Sequence, residues 1–215
     1  MANPDIKAVL WDFGGVLTTS PFDAFSVYEE KYGLPAGAIR KLNSTNPDDN
    51  AWARFERSAV TVDEFVVLFE QEAAEVGLTL DAMELLSALS GELRPAMVEA
   101  LRRCHEQLKT GLLTNNFTLG GEPADRSRVA DGYAPVLHLF DAVVQSSTAG
   151  FRKPDPRFYE TACDLLAIAP EQAVFLDDLG INLKPARQLG MTTIKVVDPD
   201  EAIEELEAVV GFPLR

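Results

Sequence analysis

No apolar run in this sequence approaches the roughly 18 to 20 residues that a membrane-spanning helix needs. Met1 to Lys7 also lacks a basic stretch followed by an apolar one, so neither a span nor a secretory leader is expected, and a cytoplasmic location is. Cysteine is nearly absent. Only Cys104 and Cys163 occur, each inside a helix-like pattern, which excludes a disulfide framework and predicts two reduced core thiols. Histidine is as scarce, and His105 and His138 stand outside every motif described below, as surface or packing residues. Positive charge is short too: 19 Lys and Arg face 34 Asp and Glu, for a formal net charge of −15. That balance repels phosphate backbones and argues against nucleic acid as a partner. A site for a phosphate would have to supply its own local positive field, from a metal, a lysine and backbone N–H groups.

What is present suits a packed globular chain. Apolar residues make up 47% of the 215 and charged residues 25%, enough for one core domain plus an inserted or appended subdomain. Short apolar runs at Ala8 to Trp11, Gly111 to Leu113, Ala142 to Gln145, Ala173 to Leu176 and Thr192 to Val197 read as strands. Amphipathic stretches such as Ala96 to Leu108 and Phe158 to Leu166 separate them, which predicts an α/β fold with a Rossmann-like parallel sheet. Asp155 with Pro156 marks a helix start, and Gly190 the stop of a helix begun near Asn182. From about Pro21 to Leu89 only helical patterns occur, including Phe22 to Tyr32 and Val62 to Val76. This segment reads as an inserted helical subdomain, placed by its point of insertion over the ligand edge of the sheet. The expected division is a core of residues 1–18 and 90–215 and a cap of 19–89. Thr118 to Pro135 has no clear periodicity.

Chemistry-bearing residues gather at the strand ends. Asp12 follows the first strand and precedes Gly14 and Gly15; an aspartate in a turn is the bland reading. Thr114, Asn115 and Asn116 end the second strand, where hydroxyl, amide and backbone N–H groups suit an oxyanion, or merely a polar turn. Lys153 stands between Arg152 and Pro154, and its ammonium could neutralise a carboxylate or a transferring phosphoryl group. Asp177 and Asp178 end the fourth strand, and two adjacent carboxylates after a buried run call for a cation such as Mg²⁺. Each motif alone is weak, but together they supply nucleophile, oxyanion donor, cation and metal ligands at one edge of the sheet.

In that order, Asp12, Thr114, Lys153 and the Asp177/Asp178 pair resemble the four motifs of the haloacid dehalogenase superfamily. Phe175 to Arg187 resembles the N-terminal phosphatase domain of soluble epoxide hydrolase and its relatives. The resemblance implies a Rossmann-like core with a helical cap and a Mg²⁺-dependent phosphatase acting on a small phosphorylated metabolite. It implies that Asp12 is the nucleophile and forms an aspartyl-phosphate. It further implies that Asp12, the carbonyl of Gly14 and Asp178 hold Mg²⁺ with support from Asp177, and that Lys153, Thr114 and Asn115 bind the phosphoryl group. The expected partner is that substrate, with no nucleic acid and no membrane; a homodimer remains open.

One position departs from the pattern. Gly14 stands where phosphatases of the superfamily usually carry a second aspartate, the general acid and base, whose help is typically worth about 10²- to 10⁴-fold. Two other readings therefore stay open: a metal-free 2-haloacid dehalogenase, whose halide leaves without a proton, and a non-catalytic ligand-binding relative. The Asp177/Asp178 pair counts against the first, since carboxylates this close are costly without a cation. Phe22, Phe25, Trp52 and Phe55 are candidates for substrate contacts in the cap, although such aromatics more often form its core.

Overall fold

A computed structural model describes residues 6–89, 91–115 and 135–215. Strands β1 (Ala8–Trp11), β2 (Lys109–Thr114), β3 (Ala142–Gln145), β4 (Ala173–Asp177) and β5 (Thr192–Lys195) form a single sheet in the order β3-β2-β1-β4-β5. Every pairing is parallel, and β1 lies between β2 and β4. The α/β, Rossmann-like parallel sheet expected from the alternation is thus present.

Its strands are apolar on both faces because both faces are covered. Val9 and Trp11 of β1, Leu112 of β2 and Val174 and Leu176 of β4 pack on one side with Met97, Leu101, Ile203 and Leu206. These partners come from α6 (Pro95–His105) and α10 (Pro199–Val210). Ala8, Leu10, Leu113 and Phe175 face the other side, against Phe158, Tyr159, Ala162 and Leu183. Those belong to α8 (Pro156–Leu166) and α9 (Gly180–Gln188). A short α7 (Ser146–Ala149) follows β3.

Boundaries shift by a few residues where the backbone finds partners that periodicity does not reveal. β2 begins at Lys109, whose N–H donates to Lys7 at 3.0 Å. β5 stops at Lys195, and Val197 is exposed. α9 starts at Gly180, two residues before Asn182, and ends just ahead of Gly190, whose φ of 101° suits a glycine stop. Asp155 caps α8, accepting from the N–H of Arg157 at 3.0 Å, with Pro156 at the first position.

Between β1 and α6 the chain is helical: α1 (Pro21–Tyr32), α2 (Ala38–Ser44), α3 (Ala51–Glu56), α4 (Val62–Glu75) and α5 (Ala82–Ser87). These helices enclose a separate apolar cluster of Phe25, Tyr28, Ile39, Phe55, Phe65, Phe69 and Leu85 among others, with Phe22 and Trp52 packed on it. Phe55 stacks on Phe65 and Phe65 on Phe69, with centroids 4.4 and 5.2 Å apart. The segment's two ends meet: Thr18 bridges Leu93, the N–H of Thr19 donates to Glu92 at 2.9 Å, and that of Arg94 to Leu17 at 2.8 Å. Among the described residues no helix is long and apolar enough to cross a membrane. Asn116 and nearly all of the aperiodic stretch 118–135 lie outside the described residues.

Candidate active site

All four motifs meet at the carboxyl edge of the sheet, where adjacent parallel strands release their chains side by side. Asp12 comes directly after β1, its N–H donating to Leu176 of β4 at 2.9 Å. Thr114 is the last residue of β2 and is buried. Asp177 ends β4 and Asp178 follows it. Lys153 lies between α7 and α8 and reaches inward until 1% of its surface is exposed.

Lys153 is the hub. Its Nζ lies 2.8 Å from Asp12 Oδ1 and 2.7 Å from Asp177 Oδ2. Asp12 Oδ1 also accepts from the N–H of Phe13 at 2.7 Å, which fixes the carboxylate's orientation. Asp12, Asp177 and Asp178 each offer an oxygen within 4.8 Å of the others. Three carboxylates meet one ammonium there, with the Arg94 guanidinium acting on Asp178, so negative charge is in excess in a largely buried space.

Burial first, and that excess second, set the protonation behaviour. Burial pushes the Asp12 carboxyl well above the usual carboxylate range, opposed by the ammonium of Lys153 and reinforced by Asp177. Burial likewise raises Asp178, to about 6, and the charge of Asp177 adds to the effect. For Lys153, burial acts to lower the value, but the carboxylates of Asp12 and Asp177 together outweigh it and keep the amine protonated. Oxygen donors of this number and kind, with negative charge in excess, fit a divalent cation such as Mg²⁺.

Other residues support this arrangement without having stood out in the sequence. Asn182 is buried and donates through Nδ2 to both oxygens of Asp177, at 3.0 and 3.1 Å, while the N–H of Leu179 donates to Asp177 Oδ1 at 2.8 Å. The hydroxyl of Tyr159 donates to the carbonyl of Asn182 at 2.7 Å. Arg94 donates to the carbonyl of Gly15 at 3.0 Å and holds the loop after β1. Gly15 has a φ of 78°, and a Cβ there would come within 2.3 Å of Asp178 Oδ2, so two constraints demand glycine at that position. The asparagine–lysine pairing is also unforeseen. Asn115 turns its amide to the backbone of Lys153, donating to its carbonyl at 3.0 Å and accepting from its N–H at 2.9 Å. Its side chain thus braces the lysine, and any phosphate contact from Asn115 falls to its remaining groups.

Packing accounts for the cysteines, and pairing elsewhere for His105 and Arg152. Cys104 and Cys163 are free and buried. His105 lies 3.3 Å from the Thr110 hydroxyl, away from the site. Arg152 turns from the carboxylates to pair with Glu56 of α3. Phe25 and Phe55 are buried in the core of the helical segment.

The family model of the haloacid dehalogenase-like hydrolases matches residues 6–190. The chain is 38% identical to acyl-CoA dehydrogenase family member 10 of Mus musculus over 97% of its length, and 32% identical to bifunctional epoxide hydrolase 2 of Sus scrofa over 97%. It spans only 20% and 40% of those longer proteins. A phosphatase of Mycobacterium tuberculosis is 32% identical over 86% of this chain and 85% of its own length. Among solved structures, a Bacteroides thetaiotaomicron enzyme of the family in complex with magnesium and inorganic phosphate shares the fold. Its TM-score is 0.59 at 20% identity, over 88% of this chain and 93% of that one. The L-2-haloacid dehalogenase of Xanthobacter autotrophicus shares the fold as well, with a TM-score of 0.61 at 20% identity, over 94% and 82%. Sheet, strand-end residues and likeness over most of the sequence agree, and this chain belongs to the haloacid dehalogenase-like hydrolases.

Proposed function

We propose that the chain is a Mg²⁺-dependent phosphatase that hydrolyses a small phosphorylated metabolite through an aspartyl-phosphate on Asp12. The observation that carries this reading is the cluster of buried Asp12 and Asp177 with partly buried Asp178 around one lysine, whose excess of negative charge asks for a divalent cation. Asp12, Asp178 and the carbonyl of Gly14 would hold it, and Asp177 would support it. When bound, the cation neutralises the carboxylates and polarises the phosphoryl group.

In this reading an oxygen of Asp12 attacks phosphorus, the bond to the substrate oxygen breaks, and that oxygen leaves with a proton from solvent. Water then attacks the phosphorus of the acyl phosphate, freeing inorganic phosphate and the carboxylate. Asp12 is oriented by the N–H of Phe13 and by Lys153. Lys153, fixed by Asn115 and Asp177, carries its charge where phosphoryl oxygens would gather, and Thr114 offers its hydroxyl there. Gly14 contributes no side chain, so phosphates with good leaving groups are the favoured substrates.

Gly14 also favours a second reading, a 2-haloacid dehalogenase, because halide needs no proton. One assay separates the two. 4-Nitrophenyl phosphate turnover that requires Mg²⁺ and vanishes in Asp12→Asn supports the phosphatase. Metal-independent chloride release from a 2-chloro acid overturns it in favour of the dehalogenase, and silence in both assays overturns both in favour of a binding protein.

A further inference from the structure

We infer that Glu56 and Arg152 form a charge latch that seats the helical segment on the backbone of the site lysine, making Glu56 a positioning residue for Lys153. Glu56 is the last residue of α3, far from the site in sequence, and Arg152 directly precedes Lys153. Arg152 donates through one guanidinium nitrogen to Glu56 Oε2, and through the other to the carbonyl of Pro47 at 2.7 Å. Glu56 Oε1 accepts from the indole N–H of Trp52 at 3.0 Å, and the carbonyl of Glu56 accepts from the Ser146 hydroxyl at 2.6 Å. Residues 47–56 are thereby tied to 146–152 through the side chains of Arg152, Ser146 and Glu56 and the carbonyls of Pro47 and Glu56.

Burial separates this pair from the surface ion pairs. Arg152 and Glu56 expose 20% and 12% of their side chains. Among the described residues every other ion pair outside the Asp12–Lys153–Asp177 set is at least 30% exposed on both partners. Surface pairs contribute little, whereas a buried pair that loses one partner leaves a charge without compensation. Arginine suits the place because its planar fork serves a carboxylate and a carbonyl at once.

Position turns the latch toward chemistry. The next residue's N–H donates to Asn115 at 2.9 Å, and its ammonium bridges Asp12 and Asp177. One short stretch of backbone therefore carries both the attachment of the helical segment and the placement of Lys153 Nζ. A shift of the segment at Glu56 would reach the backbone next to Lys153, and a displacement of about 1 Å at a reacting group is enough to slow a reaction.

The inference rests on the phosphatase reading for its kinetic arm only. The full chain would be compared with Glu56→Gln, Arg152→Gln, Arg152→Lys and the exchanged pair Glu56→Arg with Arg152→Glu. Two measurements are made: kcat and KM for 4-nitrophenyl phosphate with saturating Mg²⁺, and hydrogen exchange of residues 47–56 and 62–75. Both single glutamine variants should lower kcat/KM about tenfold, and together they should cost little more than either alone. Arg152→Lys should recover part of the loss, and the exchanged pair more than either of its single changes. Exchange should quicken in 47–56 and stay unchanged in 62–75. Parental kinetics in both singles, or multiplicative losses with unchanged exchange in 47–56, overturns the latch. If no phosphate ester is turned over, the phosphatase reading fails by itself and the exchange data still decide on the latch.

Discussion

The ammonium of Lys153 donates to Asp177 across 2.7 Å, with both side chains shut away from solvent, so neither charge has water to fall back on. Breaking such a pair strands the survivor, at a cost of about 3–5 kcal/mol. Lys153→Met is expected to lose stability on that scale in urea unfolding, along with all turnover. Adding Asp177→Asn should return part of the stability and none of the activity. A Lys153→Met chain as stable as the parent would contradict the reading.

Gly14 has neither a positive φ nor a crowded surround: a Cβ there would meet Pro21 Cγ at 3.4 Å, an ordinary contact. Gly14→Asp is therefore expected to fold and to bring the missing carboxyl to the loop after β1. Because general acid help is worth about 10²- to 10⁴-fold, kcat on an alkyl phosphate should rise by at least tenfold, and far less on 4-nitrophenyl phosphate. Equal effects on the two esters would show that leaving-group protonation is not what glycine costs the site.

With no cation bound, burial holds Asp178 at about 6, above the ~3.9 of an unfolded aspartate. Between those values the folded chain binds more protons than the unfolded one, so unfolding free energy falls as pH rises through that window. In chelator, the parent should lose more stability between about pH 4 and about pH 6 than Asp178→Asn does. Mg²⁺ should stabilise the parent more above that window than within it, because protons compete for the same oxygens. Identical pH profiles in parent and variant would refute the assignment.

Burial pushes the thiol of Cys104 up to about 12 and that of Cys163 up to about 11. At neutral pH almost no thiolate is present, and the thiolate is the reactive form. An aromatic disulfide reagent should leave both cysteines untouched in the folded chain and titrate both in urea. Rapid labelling of either without denaturant would count against the packing described.

The site was legible in the sequence to the extent that its chemistry sits at strand ends. Asp12, Thr114 and the Asp177/Asp178 pair each close an apolar run, so locating the runs locates them. Lys153 belongs with them because a proline and a helix start fix its backbone. The bracing was not legible. Asn115 stands 38 residues from Lys153, and Arg152 stands 96 from Glu56. No local pattern signals that a turn asparagine grips a distant backbone or that an arginine beside a site lysine turns away from it. Asn182 lay inside the quoted motif, where its side chain could as well have faced solvent. Helix content between Pro21 and Leu89 was readable from periodicity, while its seating depends on contacts between residues remote in sequence.

Thr18 and Leu93 touch, and the chain both leaves and rejoins the sheet domain at that one crossing. A loop of ordinary length could close the gap, leaving β1, α6 and the strand-end carboxylates in register. The strand-end carboxylates and the helical segment are in this sense separable, each resting on its own apolar cluster. A change in the length or packing of one therefore need not move the backbone of the other.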